Sequence, residues 1–191
     1  MKLIGSLTSP YVRRIRLLLG DHPHRFQSLD IYAEGRGTLR QSNPALRVPV
    51  LEDADLQLYD SRVIARYLLQ KFGSPPLDWS QENQLTLVDA VNDSLVILFQ
   101  GQRSGLDTRS DALLFKLQNE RIAAALQALE QEVSEGRFEA WNYPAICLLS
   151  LLDWARFREL IQPGRWPALD GWLRARLERA DVAETDPRLA G

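Results

Sequence analysis

One cysteine, two histidines and one methionine stand in a chain of 191 residues, and each shortage removes a class of chemistry. Cys147 alone closes no internal disulfide, and the absence of any Cys-x-x-Cys argues against disulfide reductase activity. A lone cysteine with His22 and His24 is too small a set for a structural zinc site, so no metal is expected. No stretch reaches the ~18 apolar residues that span a bilayer, and no N-terminal run has the charged, apolar and small-residue order of a secretory signal. The expectation is a cytoplasmic protein without membrane contact. Charge of one sign is missing too: 23 Lys and Arg against 25 Asp and Glu give a net charge of -2. The basic stripe of a nucleic-acid binder is therefore not expected.

What the chain does have is apolar mass, 45% hydrophobic residues, enough to bury a core in one domain or two small ones. Residues 1–5 form a short apolar run ending in glycine, the pattern of a buried strand. Behind Ser9-Pro10, Val12, Ile15 and Leu19 recur at helical spacing. Ser9 fits the N-cap, Pro10 the first helical position and Gly20 the stop. Residues 26–31 predict a second strand, and the polar stretch through Gly35, Gly37 and Ser42 a loop with a short irregular helix. Val48-Pro49-Val50-Leu51 and Leu56-Gln57-Leu58-Tyr59 flank Glu52-Asp53-Ala54-Asp55 as a hairpin does, and Val63, Ile64, Tyr67, Leu68 and Phe72 mark a helix opened by Asp60-Ser61. Gly73-Ser74-Pro75-Pro76 breaks every periodic pattern and marks a domain boundary. Beyond it, helical patterns over 81–103, 110–135, 143–160 and 167–179 predict a bundle. The fold class is α/β followed by all-α: a βαβαββα domain over 1–75, then a helical domain over 81–191.

The start of a helix has unpaired backbone N–H groups and the positive end of the helix dipole. The helix after Ser9 therefore favours an anion, to which the serine hydroxyl can donate. The same field lowers the pKa of a thiol that a ligand presents there and makes it more nucleophilic at neutral pH. Alone, Ser9 reads as an N-cap worth about 1 kcal/mol, and Thr8 and Tyr11 are alternative hydroxyl donors beside it. Val48-Pro49 is a second feature. A cis proline at a strand start turns the Val48 backbone outward to pair with an extended peptide, while a trans one serves as an edge-strand device. Asp60-Ser61 can cap a helix, or bind an amino acid's charged end with the carboxylate at the helix N–H groups and the ammonium at Asp60. In a βαβαββα order the three features converge on one end of one sheet.

In this order the residues resemble the glutathione S-transferase superfamily. The matching positions are Ser9-Pro10 through Arg16, Asn43-Pro44 followed by Arg47-Val48-Pro49-Val50-Leu51, and Asp60-Ser61 with Ile64 and Tyr67-Leu68. Near the end they are Pro167-Ala168-Leu169, Trp172 and Thr185-Asp186-Pro187. The resemblance spans essentially the whole chain and implies a thioredoxin-like domain followed by that family's helical domain. It implies that Ser9 activates the glutathione thiol, as serine or cysteine does in many bacterial members. It also implies that Val48 pairs its backbone with the cysteinyl part, that Pro49 is the family's cis proline, and that Asp60 and Ser61 hold the γ-glutamyl end. Arg47, where the family often has lysine, faces the glycyl carboxylate. Glutathione is then a co-substrate of an enzyme whose second substrate is an apolar electrophilic small molecule, in a pocket between the domains near Tyr11 and Leu98, Phe99 and Arg103. A homodimer with a role in detoxification is implied as well. Two positions depart from the family pattern: Leu46 replaces a common glycine, and Asn142-Tyr143-Pro144-Ala145 replaces Ser/Thr-x-x-Asp. The alternative reading is a non-catalytic interaction module of the stringent starvation protein A type. Loss of Ser9, Pro49 or Asp60-Ser61 would mark it, and none is lost.

Overall fold

The computed structural model describes residues 1–32 and 34–189. Its elements are β1 (Lys2–Gly5), α1 (Pro10–Leu19), β2 (Arg25–Ser28), α2 (Gly35–Ser42), β3 (Val50–Asp53), β4 (Leu56–Leu58) and α3 (Ser61–Lys71), then α4 (Trp79–Arg103), α5 (Leu113–Ser134), α6 (Tyr143–Phe157), α7 (Pro167–Leu177), α8 (Ala180–Glu184) and a 3-10 turn, Pro187–Leu189. They form two compact units, Met1–Pro76 together with Glu178–Gly191, and Leu77–Leu177. The N-terminal fold is the thioredoxin-like arrangement that the sequence predicts, and α4 to α7 form the second unit.

In the first unit the strand order is β2-β1-β3-β4. β1 runs parallel to β2 and antiparallel to β3, which is antiparallel to β4. The apolar residues of the central strands, Leu3, Ile4, Val50 and Leu51, are all buried, as are Val12, Ile15 and Leu19 on α1. Gly5 allows α1 to sit close to the sheet, because a Cβ there would overlap the Val12 side chain. The directions of the strands decide where the loops gather. Ile4, near the end of β1, pairs with Val50 at the start of β3, and Leu58, the end of β4, pairs with Leu51. The exits of β1 and β4 and the entry to β3 therefore share one edge of the sheet.

α3 is held against the sheet by Asp53, whose carboxylate accepts from Tyr67 Oη at 2.6 Å and from Lys71. The bond from Lys71, and after it the one from Tyr67, lowers the Asp53 pKa, and the same contact raises that of Lys71. A depressed carboxylate contributes above its unfolded pKa and loses that contribution as pH falls through the folded value, so this brace is intact at neutral pH.

The segment after α7 departs from the sequence-based division, which extended the helical domain to 191. It folds with the first unit instead. Arg13 donates from Nη2 to the Val182 carbonyl at 3.0 Å and from Nε to Thr185 Oγ1 at 3.3 Å, and Arg16 reaches the Glu184 carbonyl at 3.4 Å. Arg13 is only 1% exposed, and Val182 and Pro187 are buried with it.

In the second unit α4 opens on a capping box: Gln81 N–H donates to Asp78 at 2.8 Å and Asp78 N–H to Gln81 Oε1 at 3.0 Å. α5 starts at Leu113, later than the pattern from 110 suggests, because Asp107 draws residues 107–110 into a turn by accepting from Arg109 N–H. α6 begins where its sequence places it, since Asn142 Oδ1 accepts from Ala145 N–H at 3.1 Å with Pro144 in the first turn. Cys147 and Trp154 on α6 and Trp172 on α7 belong to the core.

Candidate functional site

The shared edge of the sheet is built from three chain segments. At the exit of β1, Ser9 is extended and caps α1, with its Oγ accepting from Val12 N–H at 3.4 Å. That bond uses an oxygen lone pair and leaves the hydroxyl proton available to an incoming anion. The two neighbouring hydroxyls are placed differently. Thr8 Oγ1 lies 3.3 Å from Ser6 Oγ, and the Tyr11 ring lies under the Arg14 guanidinium, 4.9 Å from its centroid. Ser9 is the N-cap of α1, at the positive end of its dipole.

At the entry to β3 the Val48-Pro49 peptide bond is cis. The ladder begins at Val50, two residues later than the apolar run suggests, so Val48 stands ahead of the sheet. Its side chain packs on Ile4, Leu29, Leu39 and Val50, fixing this end of the loop. The other end is fixed by Asn43, buried to 1%, whose Nδ2 donates to the Arg47 carbonyl at 2.8 Å while its Oδ1 accepts from Ala45 N–H at 2.8 Å. Within that loop Leu46 has φ 54, the left-handed region that favours glycine. The turn thus keeps a glycine-like shape without a glycine. Leu46→Gly is expected to stabilise the protein by about 0.5–1 kcal/mol, relief of left-handed strain exceeding the entropy that glycine adds to the unfolded chain. Denaturant titration checks it, and a loss of stability would show that Leu46, 44% exposed, packs more than its exposure suggests.

At the exit of β4 Asp60 caps α3, its Oδ1 accepting from Arg62 N–H at 2.9 Å and Val63 N–H at 3.3 Å. The Tyr59-Asp60 peptide is cis as well. Ser61 is buried beside it, whereas Arg47 is exposed on the neighbouring loop. Because Asp60 itself fills the second and third N–H positions of α3, a ligand carboxylate cannot take those, and an ammonium would meet the Asp60 carboxylate instead. One edge thus offers a helix start with a hydroxyl, a chain segment outside the ladder and a carboxylate. Among the described residues no group of His, Cys, Asp and Glu could hold a metal ion, and no helix is long and apolar enough to cross a membrane.

Residues 3–76 match the family profile of the glutathione S-transferase N-terminal domain. A glutathione transferase family member from Pseudomonas fluorescens Pf-5, crystallised with bound glutathione, superposes with a TM-score of 0.82 and 28% identity over 97% of this chain and 98% of that one. The first unit thus carries a glutathione S-transferase N-terminal domain, and the chain as a whole shares the fold of that transferase. Among curated proteins, the uncharacterized GST-like protein YibF of Escherichia coli (strain K12) is 28% identical over 203 aligned positions, covering 98% of each chain. A stringent starvation protein A homolog of Haemophilus ducreyi is 30% identical over 79 residues, covering 40% of this chain and 36% of its own. Sequence reasoning passed over the roles of Asn43, Arg13 and Thr185. All three fall within the motifs that carry the resemblance, but a motif does not reveal that Asn43 closes the loop before Val48 or that Arg13 and Thr185 bond to each other.

Proposed function

We propose that the protein is a glutathione transferase that binds glutathione along this edge, ionises its thiol at the start of α1 and directs the thiolate at an electrophilic small molecule. Convergence of Ser9, Val48-Pro49 and Asp60-Ser61 on one sheet edge carries the reading. The Ser9 hydroxyl and the α1 dipole stabilise the thiolate, lowering its pKa. Val48 pairs its backbone with the cysteinyl residue next to Pro49. The γ-glutamyl ammonium meets Asp60 and its carboxylate meets Ser61, while Arg47 faces the glycyl carboxylate. The thiol proton passes to solvent at the ionisation step; attack then forms a bond from sulfur to the electrophilic carbon, and either a leaving group departs with its bonding pair or the displaced π pair takes up a proton from solvent. Tyr11 on α1 contacts the apolar acceptor. The same reading makes the protein a cytoplasmic homodimer that acts in detoxification.

Similarity to a stringent starvation protein A homolog favours one competitor, a protein-interaction module without turnover. Calorimetric titration of glutathione into wild type and Ser9→Ala, with thiolate absorbance followed against pH, separates the two. Binding by both proteins is expected, with the bound thiol's pKa raised by about one to two units in the variant, as loss of one charge-directed hydrogen bond requires. No binding to the wild type would sink the transferase reading in favour of the module. An unchanged thiol pKa in Ser9→Ala would move the activating role to Thr8 or Tyr11.

A further inference from the structure

The start of α5 carries apolar side chains where a helix ordinarily carries its caps. Ala112 stands at the N-cap, no side chain caps the helix there, and the first turn holds no acidic residue. Leu113, Leu114 and Leu117 occupy these turns instead. At about 100° per residue they fall within one stripe of roughly 100°. They are 70%, 54% and 45% exposed, and Leu106, on the loop leading into α5, is 54% exposed. The frame beneath them is fixed. Asn119 donates from Nδ2 to the Thr108 carbonyl at 3.3 Å, Thr108 and Phe115 both close on Gly101, and Phe115 is buried.

A stripe of exposed leucines on a rigid frame marks a contact surface, and the charges around it say of which kind. Arg109 and Lys116 stand against Asp107, Asp111 and Glu120, and among the described residues none of the five forms an ion pair within the chain. With no excess of positive charge, this rim does not attract an anionic lipid surface or a nucleic acid. It does complement itself. In a two-fold pair a contact of one residue with another is repeated in reverse, so a rim of both signs sets cation against acid twice around an apolar centre. An axis close to Leu113 also brings Asp111 of the second copy to the uncapped start of α5, where the helix dipole favours an acid. We propose that a second copy of this chain docks on this face, with the leucines of the two copies packed together and Lys116 of each paired to Asp111 of the other. The pairing rests on the homodimer reading and gives it a face; the thiol chemistry has no part in it.

Sedimentation equilibrium of the full chain tests the pairing. An interface of this size is expected to give a dimer with Kd on the order of 10 µM. Leu113→Glu sets two carboxylates beside the axis and should weaken the dimer about 30-fold or more. Lys116→Asp should weaken it about 5-fold, and adding Asp111→Lys should restore most of that loss, as an exposed charge pair is worth. Because these side chains are exposed, circular dichroism and the glutathione affinity of each variant should match the wild type. A disulfide locates the axis independently. Cys147 is fully buried, so Leu113→Cys supplies the accessible thiol. Under mild oxidation it should close a covalent dimer, whereas Gln127→Cys, about 21 Å further along α5, should not. A wild type that stays monomeric at about 100 µM would overturn this face and the homodimer reading together, and its pelleting with phosphatidylcholine–phosphatidylglycerol vesicles would assign the leucines to a lipid surface. A dimer that Leu113→Glu leaves intact, or that crosslinks through Gln127→Cys rather than Leu113→Cys, would overturn the face alone and leave the homodimer reading standing.

Discussion

Arg13→Ala is expected to lower the melting temperature by roughly 5–15 °C, the equivalent of about 2–4 kcal/mol in a chain of this size. The guanidinium is 1% exposed and bonds to the Val182 carbonyl and the Thr185 hydroxyl. Alanine leaves both acceptors facing a void that water fills poorly, so the cost combines lost charged hydrogen bonds with an unfilled volume. Thr185→Val keeps the bond to the Val182 carbonyl from Arg13 but removes the one from Nε together with the hydroxyl's own donation to the Asp181 and Val182 carbonyls, and should cost about 1–2 kcal/mol. Hydrogen exchange locates the damage. In Arg13→Ala the amides of 180–189 should lose protection before those of α5 or α6. Unchanged protection there, with a melting temperature within about 1 °C of wild type, would mean that burial of Val182 and Pro187 holds the segment without Arg13.

Asn92→Leu should work in the other direction, raising the melting temperature of the helical unit by roughly 4–8 °C, or about 2 kcal/mol. Asn92 sits on α4 with 0% exposure, and neither its Nδ2 nor its Oδ1 has a hydrogen-bond partner. A desolvated amide with no partner costs about 1–3 kcal/mol, and leucine keeps the same branched skeleton, with somewhat larger methyl ends, without that penalty. Asn92→Ala, which removes the amide but opens a hole, should gain little. Differential scanning calorimetry of both variants decides the matter. A leucine variant less stable than wild type would show that the amide is satisfied by a buried water.

The elements around the candidate site were legible because each carries a local chemical signal. Ser9-Pro10 announces a capped helix, Asp60 and Asn142 do the same for α3 and α6, and all three side chains cap as their identity suggests. The chain order then places Ser9, Val48-Pro49 and Asp60-Ser61 together, because strand directions follow from a βαβαββα sequence. What sequence could not show depends on distant partners. α8 has five residues, too few for a helical period to appear, and it is positioned by a side chain far away on α1. The left-handed Leu46 is imposed by Asn43, which grips both ends of the turn. Asn92 falls on the apolar stripe that Leu85, Val88 and Leu95 mark on α4, but that spacing does not reveal that its amide lies buried without a hydrogen-bond partner.

The return of the segment after α7 to the first unit makes that unit discontinuous in sequence. During synthesis the sheet and α1 emerge first, yet the partners of Arg13 leave the ribosome only after all of α4 through α7. The guanidinium that ends up buried must therefore wait in water, or against provisional neighbours, while a whole second folding unit is made. Pairing residues 169 and 172 positions apart is a high-contact-order event, slow relative to closing the helices between them. Completion of the packing around α1 is thus a late step, taken only when the chain beyond α7 has returned to the sheet it left behind.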